Sequence, residues 1–546
     1  MENSQLPVDL FRWSLALLPI AVLLVLMVVL SWKAPQAGPM GMFTAAAVGL
    51  FAFATPWETI AVASAKGVWD AIFILYVVWP ALLLYQVTDH AGGYDALRLG
   101  ITRFSRNELF IVVALGWVFS SFLQGIAGFG TPIAIVAPLL VAFGVRPVYA
   151  VAIPIIAHLW AKFFGTLGVS WFATLSVVDL AYPVEGAFQS ALLLIIPCLL
   201  GGFTVVWMYG RWPAVRHAWP LVLIITVLQG GGQALVALFN PVLCTFAGGT
   251  AALVALYPLS RWRRYAEAPK GITDRPAMHE AGTGNASERQ PPMGLGMSFL
   301  PYVILSVVAL SGLAIEPINN ALGAFRIGLP FPAVTTGFGV GNDARNPYSP
   351  FAPLTHPGTF LLVTAITTWI VYNARGYYQA WSSGEGKSIL RSLSEDAVPA
   401  SMPVITFLVM AQVMNHSGQN DVLALGIAAV APAYAFAFLS NGIGALGAFM
   451  TSSSTSSNVL FSDLQITVAR LNGLPESAII AAQSAGGSIG NAIAPANVVL
   501  GASTAGISGQ EGAIMRITIP WTIVAVIITG AATVLLAMFT GGIGTP

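Results

Sequence analysis

Apolar stretches follow one another along nearly the whole chain, separated by short polar or Gly- and Pro-rich joints. They run over 13–32, 41–57, 68–87, 109–124, 132–144, 147–165, 187–208, 219–238, 241–258, 297–315, 355–373, 399–414, 421–440, 459–482 and 516–540. A helix needs roughly 20 consecutive apolar residues to cross the hydrocarbon core of a bilayer. Several runs have that length and others about half of it. The pattern predicts an all-α polytopic membrane protein with about 12–14 transmembrane helices, some of them re-entrant or broken. The first run is flanked by Trp13 and Trp32 and preceded by MENSQLPVDLFRW, which has no basic segment and no A-x-A site. It reads as a first transmembrane helix and not as a cleaved signal.

One long stretch breaks the pattern. RWRRYAEAPKGITDRPAMHEAGTGNASERQPP, from Arg261 to Pro292, is polar, basic at its start and rich in Gly and Pro. It predicts a flexible loop and divides the chain into a first half over 1–260, a polar cytoplasmic loop over 261–296 and a second half over 297–546. Arginines and lysines in short loops favour the cytoplasmic side. They cluster at Arg98, Arg103 and Arg106, at Arg211 and Arg216, at Arg261, Arg263 and Arg264, and at Arg375, Lys387 and Arg391. Even numbers of crossings separate these clusters and three crossings precede the first, which places the N-terminus outside.

Four apolar segments carry helix-breaking chemistry: QGIAGFGTP (Gln124 to Pro132), AKFFGTLGVSW (Ala161 to Trp171), TSSSTSSN (Thr451 to Asn458) and SAGGSIGNAIAPAN (Ser484 to Asn497). An unpaired peptide group in hydrocarbon costs several kcal/mol, so broken helices persist only inside protein or beside a wet cavity. One pair of breaks lies in each half at similar spacing, and corresponding broken segments in two halves point to a transporter binding site between them. Freed N–H groups at helix N-termini favour an anion. The competing reading is close helix packing, which also selects Gly, Ser and Thr. His158 and Lys162 lie one helical turn apart in an apolar run and are expected to share a face. A lysine at that depth is a candidate to hold a carboxylate, unless it snorkels to an interface. Asp463, five residues beyond Asn458, couples a cation, caps a helix or meets water at a cytoplasmic or external mouth. The Pro- and Gly-rich segment around Arg326, Asp343, Arg345 and His356 reads as an external or re-entrant loop.

Composition narrows the classes further. Of 546 residues 56% are hydrophobic and 8% charged, with 23 basic against 22 acidic side chains. That balance gives no basic surface for nucleic acid. Cys198 and Cys244 form neither a disulfide framework nor a metal site. There is no H-E-x-x-H and no G-x-S-x-G, and GEGKS over 384–388 lacks the first glycine of a phosphate loop, whose place Trp381 takes. The expectation is a protein that is not an enzyme and has no metal site and no cofactor.

FSSFLQGIAGFGTPIAIVAPLLVAFGVRPVYA (Phe119 to Ala150) and GAFMTSSSTSSNVLFSDLQ (Gly447 to Gln465) resemble the signature regions of the bacterial L-lactate permease family. GVWDAIFILYVVWPALLLYQVTDHAGGYDALR and AIAPANVVLGASTAGISGQEGAIMR fit the same pattern, so the similarity spans most of the chain. It implies a divergent member: a secondary transporter carrying L-lactate or a related 2-hydroxy acid such as glycolate with a proton across the bacterial inner membrane. Two inverted-topology repeats and a homodimer with elevator-like movement are implied by analogy with a wider transporter group. The chain departs from the family at Gln124 and Ser454, where acidic residues stand, which removes two proton acceptors. The binding residues suggested by the breaks and by the lysine at membrane depth are Lys162 on the carboxylate, with His158 nearby. Gly128, Phe129, Gly130, Thr131, Ser456, Ser457 and Asn458 would form an anion cradle, and Gln124, Ser454, Asn491 and Ser484 the polar remainder. A different small organic anion (a sulfonate or a larger hydroxy acid), a small-solute channel and a membrane-embedded enzyme remain the alternatives.

Overall fold

The structure is a computed structural model that describes residues 6–26, 30, 32–96, 105, 107–126, 128, 130–267, 271–279, 292–314, 316–381, 388–507 and 510–540. Among the described residues, six helices are long and apolar enough to cross a membrane, and shorter apolar helices of 10–17 residues account for further runs. The fold is helical, as the sequence predicts, with one small β element.

Three helices open the chain: α1 (Leu10–Leu24), α2 (Ala34–Ala52) and α3 (Trp57–Asp89). Asp9 caps α1, and the backbone N–H and guanidinium of Arg12 hold its carboxyl below the usual range. Helix α4 (Glu108–Ile126) is mostly apolar and buried from Leu109 to its end, the signature of a central helix and not a lipid-facing one. It is followed by α5 (Thr131–Ala142), α6 (Pro147–Ala157) and α7 (Gly165–Val177). Helix α8 (Pro183–Ala237) has 55 residues, about 80 Å and too long for one crossing. Its backbone breaks at Gly210 and Arg211, where Arg211 has φ 51°, which divides it into two helical segments. Helix α9 (Cys244–Arg261) closes the first half.

The second half contains α10 (Leu300–Ala314), α11 (Glu316–Gly323), α12 (Pro357–Ala374), α13 (Tyr377–Trp381), α14 (Ile389–His416) and α15 (Gln419–Val430). It ends with α16 (Ala433–Thr451), α17 (Ser454–Leu471), α18 (Glu476–Gly490), α19 (Pro495–Thr504) and α20 (Glu511–Thr540). Ile523, Ile527, Leu535 and Phe539 of α20 are exposed, an apolar face suited to lipid.

Two surfaces bound the helices. Toward one lie the Trp57 end of α3, the start of α1 and a nested hairpin in which β1 (Ile327–Phe331) pairs antiparallel with β4 (Arg345–Phe351) and β2 (Val334–Thr335) with β3 (Gly341–Asn342). Trp69 donates to the Ser349 carbonyl (3.2 Å), Gly337 N–H to the Ala54 carbonyl (2.8 Å), and Arg12 lies over the Phe338 ring. The hairpin is the Pro- and Gly-rich segment read as a loop. On the opposite side the Asp89 end of α3 meets the start of α14, where Gln86 donates to Asp396 at 2.6 Å.

The polar stretch after α9 differs from expectation where it is described. Tyr265, Ala277 and Met278 are buried, Arg146 N–H donates to the Ala277 carbonyl at 2.7 Å, and Arg275 pairs with Glu108. The Glu108 carboxylate raises the Arg275 guanidinium above its ordinary pKa. The segment over 271–279 is therefore packed under the α5–α6 turn. Apolar Tyr, Ala and Met among the charges supply the contacts that a purely polar linker lacks.

Two helical hairpins follow from these contacts. Helices α4 and α5 form one, entering beside Arg146 and Met278. Helices α16 and α17 form the other, entering beside Arg470 and Glu476. Helices α6–α7 and α18–α19 are the two broken helices that flank them.

Candidate functional site

All four breaks meet at one cavity of about 230 Å³. The first break contributes Gln124 and Gly130. Gly130 has φ 89° and caps α5, a left-handed position that glycine adopts without penalty. The second break is the longest. Helix α6 stops at His158, a 3-10 turn covers Leu159–Ala161, and Thr166, Leu167 and Gly168 have φ of 51°, 51° and 80°. Left-handed backbone costs an L-residue of order 1–2 kcal/mol, and tertiary contacts hold it here. Gly128 N–H donates to Thr166 Oγ1 at 2.8 Å. A Cβ on Gly165 would stand 2.7 Å from the Gln124 carbonyl oxygen, so only glycine lets the two breaks touch.

The serine-rich run departs from expectation. Its unwound part is two residues long: Ser452 is left-handed (φ 56°) and Ser453 is the N-cap of α17, its hydroxyl accepting from Ser456 N–H at 3.2 Å. Ser454 through Asn458 form the first turns of a helix. Short hydroxyl side chains favour such starts because they satisfy orphan N–H groups. The fourth break is also narrower. Its Gly486–Gly487 pair is helical, and a Cβ on Gly486 would lie 2.0 Å from the Asn441 carbonyl oxygen. The glycines therefore allow α16 and α18 to pack closely, as the packing alternative holds, and the helix opens only at Asn491–Ala494. Ala496 N–H donates to Ser452 Oγ at 3.2 Å and Asn497 Nδ2 to Asn491 Oδ1 at 3.1 Å, closing the wall.

Lys162 is the one charged side chain among the described residues that line this cavity. It is buried, and among the described residues its ammonium has no ion-pair or hydrogen-bond partner. The N-termini of α5, α17 and α19 converge on the same space and add partial positive charge. Opposite them, Ser170 Oγ lies 2.6 Å from Thr455 Oγ1 and 3.4 Å from Ser454 Oγ, joining the two halves of the chain. Gln124 Oε1 is buried with no hydrogen-bond partner among the described residues. The chemistry offered is that of a small, polar, cationic pocket with several hydroxyl and amide groups.

The candidate residues divide accordingly. Gln124, Gly130, Lys162, Ser454 and Asn491 line the cavity. His158 does not: it is fully buried, its Nδ1 bonds the Pro154 carbonyl, and the 3-10 turn separates its direction from that of Lys162. The shared face expected of an unbroken helix is thereby lost. Ser457 donates to the Gly444 carbonyl at 2.7 Å, Gln483 donates to Ser457 and Asn458, and Ser484 donates to the Ile480 carbonyl. The Ser457, Asn458 and Gln483 bonds tie α16, α17 and α18 together, the Ser484 bond stays within α18, and none of Ser456, Ser457, Asn458 and Ser484 lines the cavity. Gly128 and Thr131 stand behind it, and Phe129 lies outside the described residues. Thr166, Ser170, Ser452, Ser453, Thr455 and Asn497 line the cavity although none was singled out by sequence. All six lie inside the quoted broken segments, which was the available signal.

Helices α7 and α17 run on from this cavity to a second, larger one of about 470 Å³ beneath the hairpin. It is lined by Lys66 and His416, by Asn342, Asp343 and Arg345 of the hairpin, and by Gln412, Asn415, Asp179 and Asp463. Lys66 Nζ lies 3.0 Å from His416 Nε2, while His416 Nδ1 lies 2.9 Å from the Gln412 carbonyl. A neutral ring donating through Nδ1 and accepting through Nε2 satisfies both contacts. Asp70 Oδ2 accepts from Tyr348 (3.0 Å) and Gln412 (2.9 Å). Lys66 and Asp70 are buried at i, i+4 on α3, ionisable groups at membrane depth of the kind that marks function.

A family model described as L-lactate permease matches residues 14–540. The chain is 27% identical to the glycolate permease GlcA of Escherichia coli (strain K12), the alignment covering 96% of each chain. It is 26% identical to the L-lactate permease of Halalkalibacterium halodurans, again with 96% of each covered. Among solved structures, the YdaH transporter of Alcanivorax borkumensis matches 87% of this chain and 88% of its own with a TM-score of 0.45 and 16% identity.

Proposed function

Because the chain belongs to the L-lactate permease family, and is therefore a multi-pass membrane transporter and not an enzyme, we propose that it moves a small monocarboxylate across the bacterial inner membrane. The substrate is L-lactate or a related 2-hydroxy acid such as glycolate, and the coupling is proton symport. The observation that carries this reading is Lys162, without a partner among the described residues, in a polar cavity of about 230 Å³. A small cavity with polar walls suits a small hydroxy acid. The substrate carboxylate takes Lys162 and the helix N-termini, and its 2-hydroxyl takes the hydroxyl and amide groups of Ser454, Thr455, Asn491 and Gln124.

The rest of the proposal concerns arrangement. The two helical hairpins and two broken helices are a pair of inverted repeats, and the functional unit is a homodimer. The hairpin-covered surface and the N-terminus face the periplasm, because the basic clusters at Arg375 and Arg391 lie at the other end of the helices. A cysteine placed at Asp9 should react with a membrane-impermeant maleimide in intact spheroplasts; protection there and labelling only after lysis reverses the orientation. The buried Cys198 and Cys244 leave little background. Function is tested by purified protein in liposomes. Saturable uptake of L-lactate or glycolate driven by an imposed pH step is expected, with sulfonates and dicarboxylates competing poorly. Non-saturable flux, or uptake of a sulfonate in preference, contradicts the substrate reading.

A further inference from the structure

The substrate cavity holds no carboxylate among its described lining residues, so a symported proton needs an acceptor elsewhere. Helix α17 supplies one. Its first turn carries Ser454 and Thr455 at the cavity, and Asp463, eight residues later and roughly 12 Å along the helix, faces the second cavity. Asp463 is part-buried, and one of its oxygens, Oδ2, accepts from Asn420 Nδ2 at 2.7 Å and Asn415 Nδ2 at 3.0 Å. Among the described residues it forms no ion pair. Amides hydrogen-bond a carboxylate without neutralising it, which leaves its charge for a proton to remove.

We infer that Asp463 takes and releases the coupling proton, reached through the cavity beneath the hairpin. This rests on the transporter reading above. The proton binds the carboxylate oxygen, the negative charge is removed, and nothing else is exchanged. Because α17 connects this carboxylate to the hydroxyls at the substrate pocket, its charge state and the occupancy of that pocket act on one rigid element. The charged and titratable groups around it are Lys66 on α3, His416 on α14, Asp421 on α15, Asp179 after α7, Asp343 and Arg345 on the hairpin, and Arg470 on α17 itself. Lys66 and His416 are bonded to each other (3.0 Å), and Arg470 is bound to Glu476 (2.7 Å), which leaves Asp463 without a fixed counter-ion.

The test separates exchange from accumulation in proteoliposomes. Equilibrium exchange of labelled L-lactate against unlabelled L-lactate moves no net proton, whereas accumulation driven by an inward pH step does. Asp463→Asn should keep exchange within about threefold of wild type and lose pH-driven accumulation at least tenfold. Asp463→Glu should keep both, which also shows that the position tolerates change. Asp343→Asn, an exposed carboxylate on the same cavity wall, should alter neither. Accumulation by Asp463→Asn at the wild-type level overturns the assignment. Equal loss of exchange and accumulation in both Asp463 variants also overturns it and makes the residue a structural clamp on α17. Accumulation driven by a sodium gradient in place of a pH step overturns the proton itself. Absence of exchange by the wild-type protein defeats the transporter reading, and this inference with it.

Discussion

Replacing Lys162 by methionine removes the only cation among the described residues lining the 230 Å³ cavity while keeping a flexible side chain of similar length. Two unit charges about 4 Å apart attract by about 4 kcal/mol at an effective dielectric near 20, and truncating one partner of a close pair costs 2–5 kcal/mol in comparable cases. Part of the interaction survives through the N-termini of α5, α17 and α19, each contributing a fraction of a kcal/mol to about 2 kcal/mol. A net loss of about 3 kcal/mol follows, or roughly a hundredfold in Kd. Folding should be little affected, because among the described residues the ammonium has no partner to leave stranded, and Met adds no buried charge. Isothermal titration of L-lactate or glycolate into detergent-solubilised protein reads the affinity, and a thermal melt of the same samples reads stability. Binding within threefold of wild type by a protein with an unchanged melt would refute the assignment of Lys162 to the carboxylate.

Two further variants probe the framework of the site. Gly165→Ala places a methyl 2.7 Å from the Gln124 backbone oxygen, so the two breaks must separate; a loss of about 1–3 kcal/mol is expected, seen as a lower melting temperature together with weaker substrate binding, and an unchanged melt would contradict the close approach. Tyr348→Phe deletes the hydroxyl that reaches both Asp70 and Gln412 at 3.0 Å, leaving a buried carboxylate one donor short; about 1–3 kcal/mol is lost, and faster hydrogen exchange over 327–351 should report loosening of the hairpin.

The breaks themselves were readable from sequence because Gly and Pro, amide or hydroxyl residues occur together at membrane depth in one pair of segments per half, and all four quoted segments reach the cavity. Their extent was not. A serine-rich run looks unwound by composition, yet one left-handed residue at Ser452 and one cap at Ser453 are enough, and the remaining hydroxyls make helix starts and interhelical bonds. The face of His158 depended on the helix continuing through Leu159–Ala161, and local spacing does not reveal a 3-10 turn. The second cavity was overlooked for a similar reason. With the apolar run taken to start at residue 68, Lys66 falls outside the span; the helix starts at Trp57, which carries Lys66 inward with Asp70 one turn further on. His416 and Tyr348, their partners, come from α14 and the hairpin, nearly 280 residues or more away in the chain, and only the fold brings them to α3.

The most direct test of the central claim is a structure determined with L-lactate or glycolate bound. The carboxylate should lie about 3 Å from Lys162 Nζ, between the N-termini of α5 and α17, with the 2-hydroxyl turned toward Ser454, Thr455 or Asn491. Density for the anion beside Lys66 and Arg345 under the hairpin, with the inner cavity empty, would contradict it.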